Sequence, residues 1–285
     1  MWDIPLDTPA AVVELEGRAK VRRVETRKGE VTWREFGRGP TLVLLHGGHG
    51  SWLHWARNIP ALECKHRVLL PDLPGYGDSE SPREASIDSL VRQLSLSLDE
   101  LIESGSPLRL AGFSFGGLVA AALAAARGDI EKLLLLGPAG HGGQRRPREQ
   151  LRNWKPAASS GNLRMLEEVM RHNLLAHMLH SPNAVDQLAL FVHTRSCALT
   201  AFRSKEISRS SILPSLLAAF TGPTLAVWGE HDVTAEPQSA IRALSQPPVN
   251  PARFSSQVVH GAGHWVQFEA SEAINDLILD WSGCR

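Results

Sequence analysis

Uninterrupted apolar runs recur along the chain, each closed by a glycine, proline or polar turn: TLVLLH (Thr41–His46), RVLLP (Arg67–Pro71), LRLAGF (Leu108–Phe113), KLLLLG (Lys132–Gly137) and TLAVWG (Thr224–Gly229). Runs without polar alternation suit strands buried on both faces, as in a parallel sheet covered by helices. Ahead of them, KVRRVETR and EVTWREFG alternate polar and apolar residues across Lys28-Gly29, which predicts an antiparallel hairpin at the sheet's edge. Helical spacing falls between the runs, over Ile87–Glu103 and Phe115–Arg127, and again over Ala235–Leu244 and Ala270–Trp281. The expected class is α/β, a mostly parallel central sheet with helices on both faces.

From residue 140 to 221 the rhythm breaks. No strand-like run appears there, whereas Asn162–Leu179 and Ala184–Phe202 carry helical periodicity, and the segment ends abruptly at the buried run Thr224–Gly229. The expected organisation is a core of residues 1–139 and 222–285 interrupted by a helical insertion over 140–221.

Composition narrows the partners. The 285 residues, 43% of them hydrophobic, suffice for a sizeable core. Thirty basic and thirty acidic residues cancel, so nothing global favours nucleic acid or an anionic membrane, and a small-molecule substrate is the expected partner. Cys64, Cys197 and Cys284 are odd in number, far apart and without metal-ligand spacing, which argues against a disulfide scaffold or zinc site. The N-terminus lacks a basic segment followed by an apolar one, and the expected location is cytoplasmic. Oligomeric state is open, a homodimer included.

The chemistry concentrates where the run Leu108–Phe113 meets the helix from Phe115. In GFSFGG (Gly112–Gly117) a serine falls on a sharp strand-to-helix turn, and glycines on either side let strand and helix close around it. Ser114 is thereby expected exposed above the sheet, a nucleophile needing a base, an acid and oxyanion donors. WGEHD places Asp232 on the loop after Thr224–Gly229, with Glu230 as rival acid; VVHGAGHW places His264 on a loop after the strand-like Phe254–His260, with His260 as competing imidazole. HGG (His46–Gly48) follows the first central run, so the Gly48 N–H and that of Phe115 are the expected oxyanion hole, with Gly47 beside the substrate. DLPGYGDS (Asp72–Ser79) is a turn-dense loop expected to shape the pocket. His172, His177 and His180 lack metal-binding spacing, and no metal is expected; His49 and His54 are placed to line the pocket.

HGG, DLPGYGDS, GFSFGG and the Asp232–His264 pair, in this order, resemble the α/β-hydrolase fold family over nearly the whole chain. The resemblance implies a helical cap for residues 140–221 and neither metal nor organic cofactor. A serine at 114 speaks against dehalogenases and epoxide hydrolases, which carry an aspartate nucleophile. Ester hydrolysis through an acyl-enzyme is the first expectation and carbon–carbon hydrolysis of ring-cleavage products the alternative, since SWLHWARNI (Ser51–Ile59) and GHWVQFE (Gly263–Glu269) are similar to stretches of meta-cleavage-product hydrolases. Trp265 matches the tryptophan those enzymes place beside the catalytic histidine. They usually carry asparagine before the nucleophile and another after the oxyanion turn, where this chain has Phe113 and His54. A dienoate carboxylate would call for a cap arginine, for which Arg195 and Arg203 stand as candidates. Phe113 in place of asparagine favours an apolar group, hence the ester. The fold also serves ligand receptors with intact triads, a third reading.

Overall fold

In the computed structural model, which describes residues 2, 4–103 and 105–284, the apolar runs become neighbours in one eight-stranded sheet. Helix α1 (Ala10–Arg18) precedes the hairpin of β1 (Lys20–Thr26) and β2 (Gly29–Phe36). Next come β3 (Thr41–Leu45), the short α2 (Ile59–Leu62), β4 (Arg67–Pro71), α3 (Ile87–Asp99), β5 (Leu108–Phe113), α4 (Phe115–Ala126) and β6 (Ile130–Leu136). Between β6 and β7 (Thr224–Gly229) the chain forms α5 (Lys155–Ser159), α6 (Leu163–His177), α7 (Gln187–Ala198), α8 (Lys205–Ser208) and α9 (Leu213–Ala219). It closes with α10 (Pro237–Leu244), β8 (Phe254–Val259), α11 (Val266–Glu269) and α12 (Ser271–Ser282).

The strand order is β1-β2-β4-β3-β5-β6-β7-β8. The β1–β2 and β2–β4 pairs are antiparallel, and every later pair is parallel. Successive residues of the central strands feed opposite layers of core: Leu42 and Leu44 pack with Leu134, Leu136 and Val227 on one face, Val43 and Leu45 with Leu133, Leu135 and Trp228 on the other. This two-sided burial is why the runs show no alternation in sequence. The strands' C-terminal ends lie together, so the loops after β3, β5, β6, β7 and β8 converge at one edge.

Two elements differ from the sequence expectation. Helix α1 was not predicted; its Val12 and Leu15 are buried while Val13 is 56% exposed, a face too short to register as a period. Helix α3 stops at Asp99 rather than running to Glu103; beyond its end the Leu101 carbonyl accepts from Arg67 Nη1 at 2.9 Å. Among the described residues no helix is long and apolar enough to cross a membrane, and all three cysteines are free.

The insertion is tied to the sheet's C-terminal loops. The Glu269 carboxylate accepts from the backbone N–H groups of His180 at 3.0 Å, Ser181 at 2.6 Å and Gly263 at 2.7 Å, and Trp265 N–H donates to the Met178 carbonyl at 2.7 Å.

Packing leaves several histidines inside. Burial, with His49 nearby, pushes the His193 imidazole down to about 4. The unfolded chain, with an ordinary imidazole, therefore binds this proton first, so the stabilisation is full above about pH 6.5 and lost as pH falls towards about 4, in total roughly 3 kcal/mol. Urea unfolding of the wild type at about pH 7.5 and about pH 5 should show a clear loss at the lower value, and His193→Gln should lose less. Equal losses in both proteins would exclude His193 as a source.

Candidate active site

Ser114 stands at φ 53° and ψ −117°, a conformation L-residues rarely adopt. It is held there by two hydrogen bonds, its N–H to the Leu136 carbonyl at 2.8 Å and its carbonyl from Ala139 N–H at 3.0 Å. The flanking glycines are obligatory on steric grounds. A Cβ on Gly112 would lie 2.4 Å from the Gly116 carbonyl oxygen, and one on Gly116 would lie 2.2 Å from that of His46. The elbow thus exists because strand, helix and oxyanion turn meet without side chains between them.

His264 Nε2 lies 2.9 Å from Ser114 Oγ, and His264 Nδ1 lies 2.8 Å from Asp232 Oδ2. The other Asp232 oxygen, Oδ1, accepts from Thr234 N–H at 2.7 Å and from its hydroxyl at 2.8 Å. Burial alone would raise the Asp232 carboxyl, but His264 and the Thr234 donors outweigh it and hold the pKa below the ordinary value. With Asp232 anionic, Nδ1 carries the imidazole proton and Nε2 faces the serine as acceptor. Glu230, the rival acid, points elsewhere: it accepts from Gly261 N–H at 3.0 Å and faces His260 and His231 at the surface.

Behind the turn, His46 Nε2 accepts from Leu73 N–H at 2.9 Å, and Asp72 accepts from Trp52 N–H at 3.0 Å and pairs with Arg34 at 2.7 Å. DLPGYGDS thereby braces the oxyanion turn. Phe115 opens α4, and the first N–H groups of a helix have no acceptor within it, so its donor is free for an anion beside Ser114.

Ser114 and His264 open into a cavity of about 490 Å³ between the strand ends and the insertion. Gly48, His49, Phe113 and Phe115 line it, and the insertion contributes Arg145, Arg148, Lys205 and Arg209. A larger, more open depression of about 710 Å³ lies by Lys132, Thr224 and Trp281, at the other end of the strands and away from Ser114 and His264. Among the described residues none of the four cations has a carboxylate in ion-pair contact, and Glu149 is the sole acid on the wall. Burial and the charge of Arg209 pull the Arg145 and Arg148 guanidinium pKa values below ordinary. Arg148 donates to His177 Nδ1, and the His177 ring sits 5.6 Å from that of His264.

Several residues expected at the substrate are placed elsewhere. Arg195 does not line the cavity; on α7 it pairs with Glu16 of α1 at 3.7 Å and stacks over Phe191. Arg203 is exposed outside the lining. His54 is fully buried behind the turn, its Nδ1 accepting from Gly47 N–H at 3.3 Å, and Trp265 is buried against His54 and Phe268, its Nε1–H donating to the His54 carbonyl at 3.0 Å. Both support the site from behind rather than facing ligand. Gly47 packs against Phe113 and Ser114. The basic stretch GGQRRPR holds two of the cations missed in sequence, Arg145 and Arg148, with its charge density as the available signal; Lys205 and Arg209 lie in SKEISR further along the insertion.

A mostly parallel eight-stranded sheet with serine, histidine and aspartate joined at its strand ends defines an α/β hydrolase. The chain belongs to the alpha/beta hydrolase family, whose model matches residues 42–277. It is 28% identical to a 2-hydroxy-6-oxononadienedioate/2-hydroxy-6-oxononatrienedioate hydrolase of Cupriavidus pinatubonensis, over 92% of this chain and 95% of that protein. Among solved structures it resembles a meta-cleavage product hydrolase from Pseudomonas fluorescens, at TM-score 0.69 and 22% identity over 92% of this chain and 97% of that one. It also resembles naproxen esterase from Bacillus subtilis, at TM-score 0.71 and 18% identity over 96% of this chain and 99% of that one. Both structural likenesses show the fold alone.

Proposed function

We propose that this hydrolase cleaves a carbon–carbon bond in a small 2-hydroxy-6-oxo-dienoate bearing two carboxylates, with Ser114 as nucleophile, His264 as base and Asp232 as orienting acid. The observation that carries this reading is the set of four cations without counter-ions around the serine. All four are exposed to solvent, and what matters is their concentration at one cavity: four like charges lining a single opening repel one another, an anionic ligand relieves that repulsion, and one carboxylate would leave much of the charge unanswered. The kinship with dienedioate hydrolases points the same way. The order of the two leading readings from sequence is thus reversed.

In this reaction His264 takes the Ser114 proton as the oxygen attacks the 6-oxo carbon, and the Gly48 and Phe115 N–H groups hold the oxyanion. Collapse of the adduct breaks the bond to C5, whose electron pair is delocalised into the unsaturated acid in its keto form and is then protonated by His264. Water, deprotonated by His264, releases the acyl group from Ser114. Ester cleavage needs the same groups, and Phe113, packed 4.9 Å from the His264 ring as an apolar wall, is the observation favouring that second reading.

Turnover of a 2-hydroxy-6-oxo-dienedioate and of p-nitrophenyl acetate, measured in parallel, separates them. Preferential loss of the dienedioate chromophore supports the proposal; rapid ester cleavage with an inert dienedioate overturns it. Arg148→Gln and Arg209→Gln should each raise KM for the dianion about tenfold, the worth of one charge-assisted hydrogen bond, and leave KM for the neutral ester unchanged. Equal effects on both substrates would remove the carboxylate role.

A further inference from the structure

Ser204, in the insertion, is 4% exposed and occupies the N-cap position of α8. A serine there ordinarily accepts from a backbone N–H of the first turn, yet its hydroxyl makes no cap hydrogen bond. The hydroxyl faces the oxyanion turn instead: a Cβ built on Gly48 would lie 2.8 Å from Ser204 Oγ and 3.7 Å from Phe115 Cβ. Gly48, Phe115 and Ser204 line one cavity with Ser114. A side chain at position 48 would fill the space that Ser204 reaches.

Near Ser204 lies Tyr76, completely buried, its hydroxyl without a hydrogen-bond partner among the described residues. Burial raises the phenol's pKa strongly, and the neighbouring Ser204 hydroxyl opposes that shift. A buried phenol keeps its proton and ordinarily finds an acceptor, and Ser204 Oγ is the neighbouring hydroxyl to which we assign it. A Ser204 hydroxyl that accepts from Tyr76 would have its own proton free for the cavity and the oxyanion turn.

We propose that the Ser204 hydroxyl is a third donor to the substrate's oxyanion, beside the Gly48 and Phe115 N–H groups, and that Tyr76 orients it. The inference rests on the assignment of Ser114 as nucleophile but not on the identity of the bond cleaved. It makes part of the oxyanion site a contribution of the insertion. Ser204 is then a catalytic residue and Tyr76 a positioning one.

The test is the rate at which a small fluorophosphonate labels Ser114, followed by intact mass, together with kcat, KM and Tm. Ser204→Ala should slow labelling and lower kcat by about hundredfold to thousandfold at unchanged KM and Tm, as loss of one donor does. Ser204→Thr, which keeps the hydroxyl, should restore most of the rate, and Tyr76→Phe should slow it several-fold without altering KM. Wild-type labelling and kcat in Ser204→Ala would overturn the proposal, as would a loss confined to KM or Tm. Failure of Ser114→Ala to abolish labelling would instead remove the nucleophile assignment beneath it.

Discussion

Replacing Ser114 by alanine is expected to reduce kcat by about 10⁵-fold to 10⁶-fold while leaving the fold intact. The substitution removes only Oγ, which makes the 2.9 Å contact with His264 Nε2 and carries no cap bond of α4. The hydrogen bonds that fix the elbow run through the Ser114 backbone and survive. Without Oγ no acyl-enzyme can form, and binding and oxyanion donors alone retain a small residual acceleration. Steady-state kinetics on the dienedioate, with a thermal melt of both proteins, checks this. Retained turnover in a folded variant would remove the covalent mechanism.

Asp232→Asn is expected to cost about 10⁴-fold in kcat with little change in KM. The reason is the proton on the imidazole rather than the loss of charge alone. Thr234 already donates its N–H and hydroxyl to Oδ1 at 2.7 and 2.8 Å, so an asparagine would keep its carbonyl oxygen there and turn its NH₂ towards His264 Nδ1. Nδ1 would then accept, Nε2 would carry the proton, and the imidazole could no longer take one from Ser114. Glu230→Gln should leave kcat within about twofold, because that carboxylate faces the surface and acts on no group of the site. The pair of variants, measured on one substrate, decides between the two acids; a larger defect in Glu230→Gln would reverse the assignment.

The central strands were readable because burial on both faces leaves a continuous apolar run, and the elbow because its geometry admits little besides glycine around the serine. Asp232 and His264 were readable as the polar residues that follow such runs. The pocket walls were not. Which side of a helix faces the serine depends on how the insertion packs, and Arg195 shows the difficulty: it sits on a helix of the insertion but pairs with Glu16 on α1, a helix itself absent from the sequence reading. Arg145 and Arg148 lie in an irregular stretch with no periodicity to assign a face, and they reach the cavity only through contacts distant in sequence, such as Arg145 with the Ser208 carbonyl at 2.6 Å. His54 and Trp265 were correctly near the site but on the wrong side of it, because proximity along the chain to Gly47 and His264 says nothing of whether a ring points inward or towards the ligand.

The carboxylate of Glu269 staples one corner of the insertion to the loop that carries His264. Lifting that corner would break these bonds beside His264, so entry is expected at the opposite rim of the cavity, lined by residues of 145–151 and 204–209. The cations stand along that rim, all four exposed to solvent. If the substrate is the proposed dianion, the same rim would both admit and attract it, and its capture rate is expected to fall with added salt while the chemical step does not.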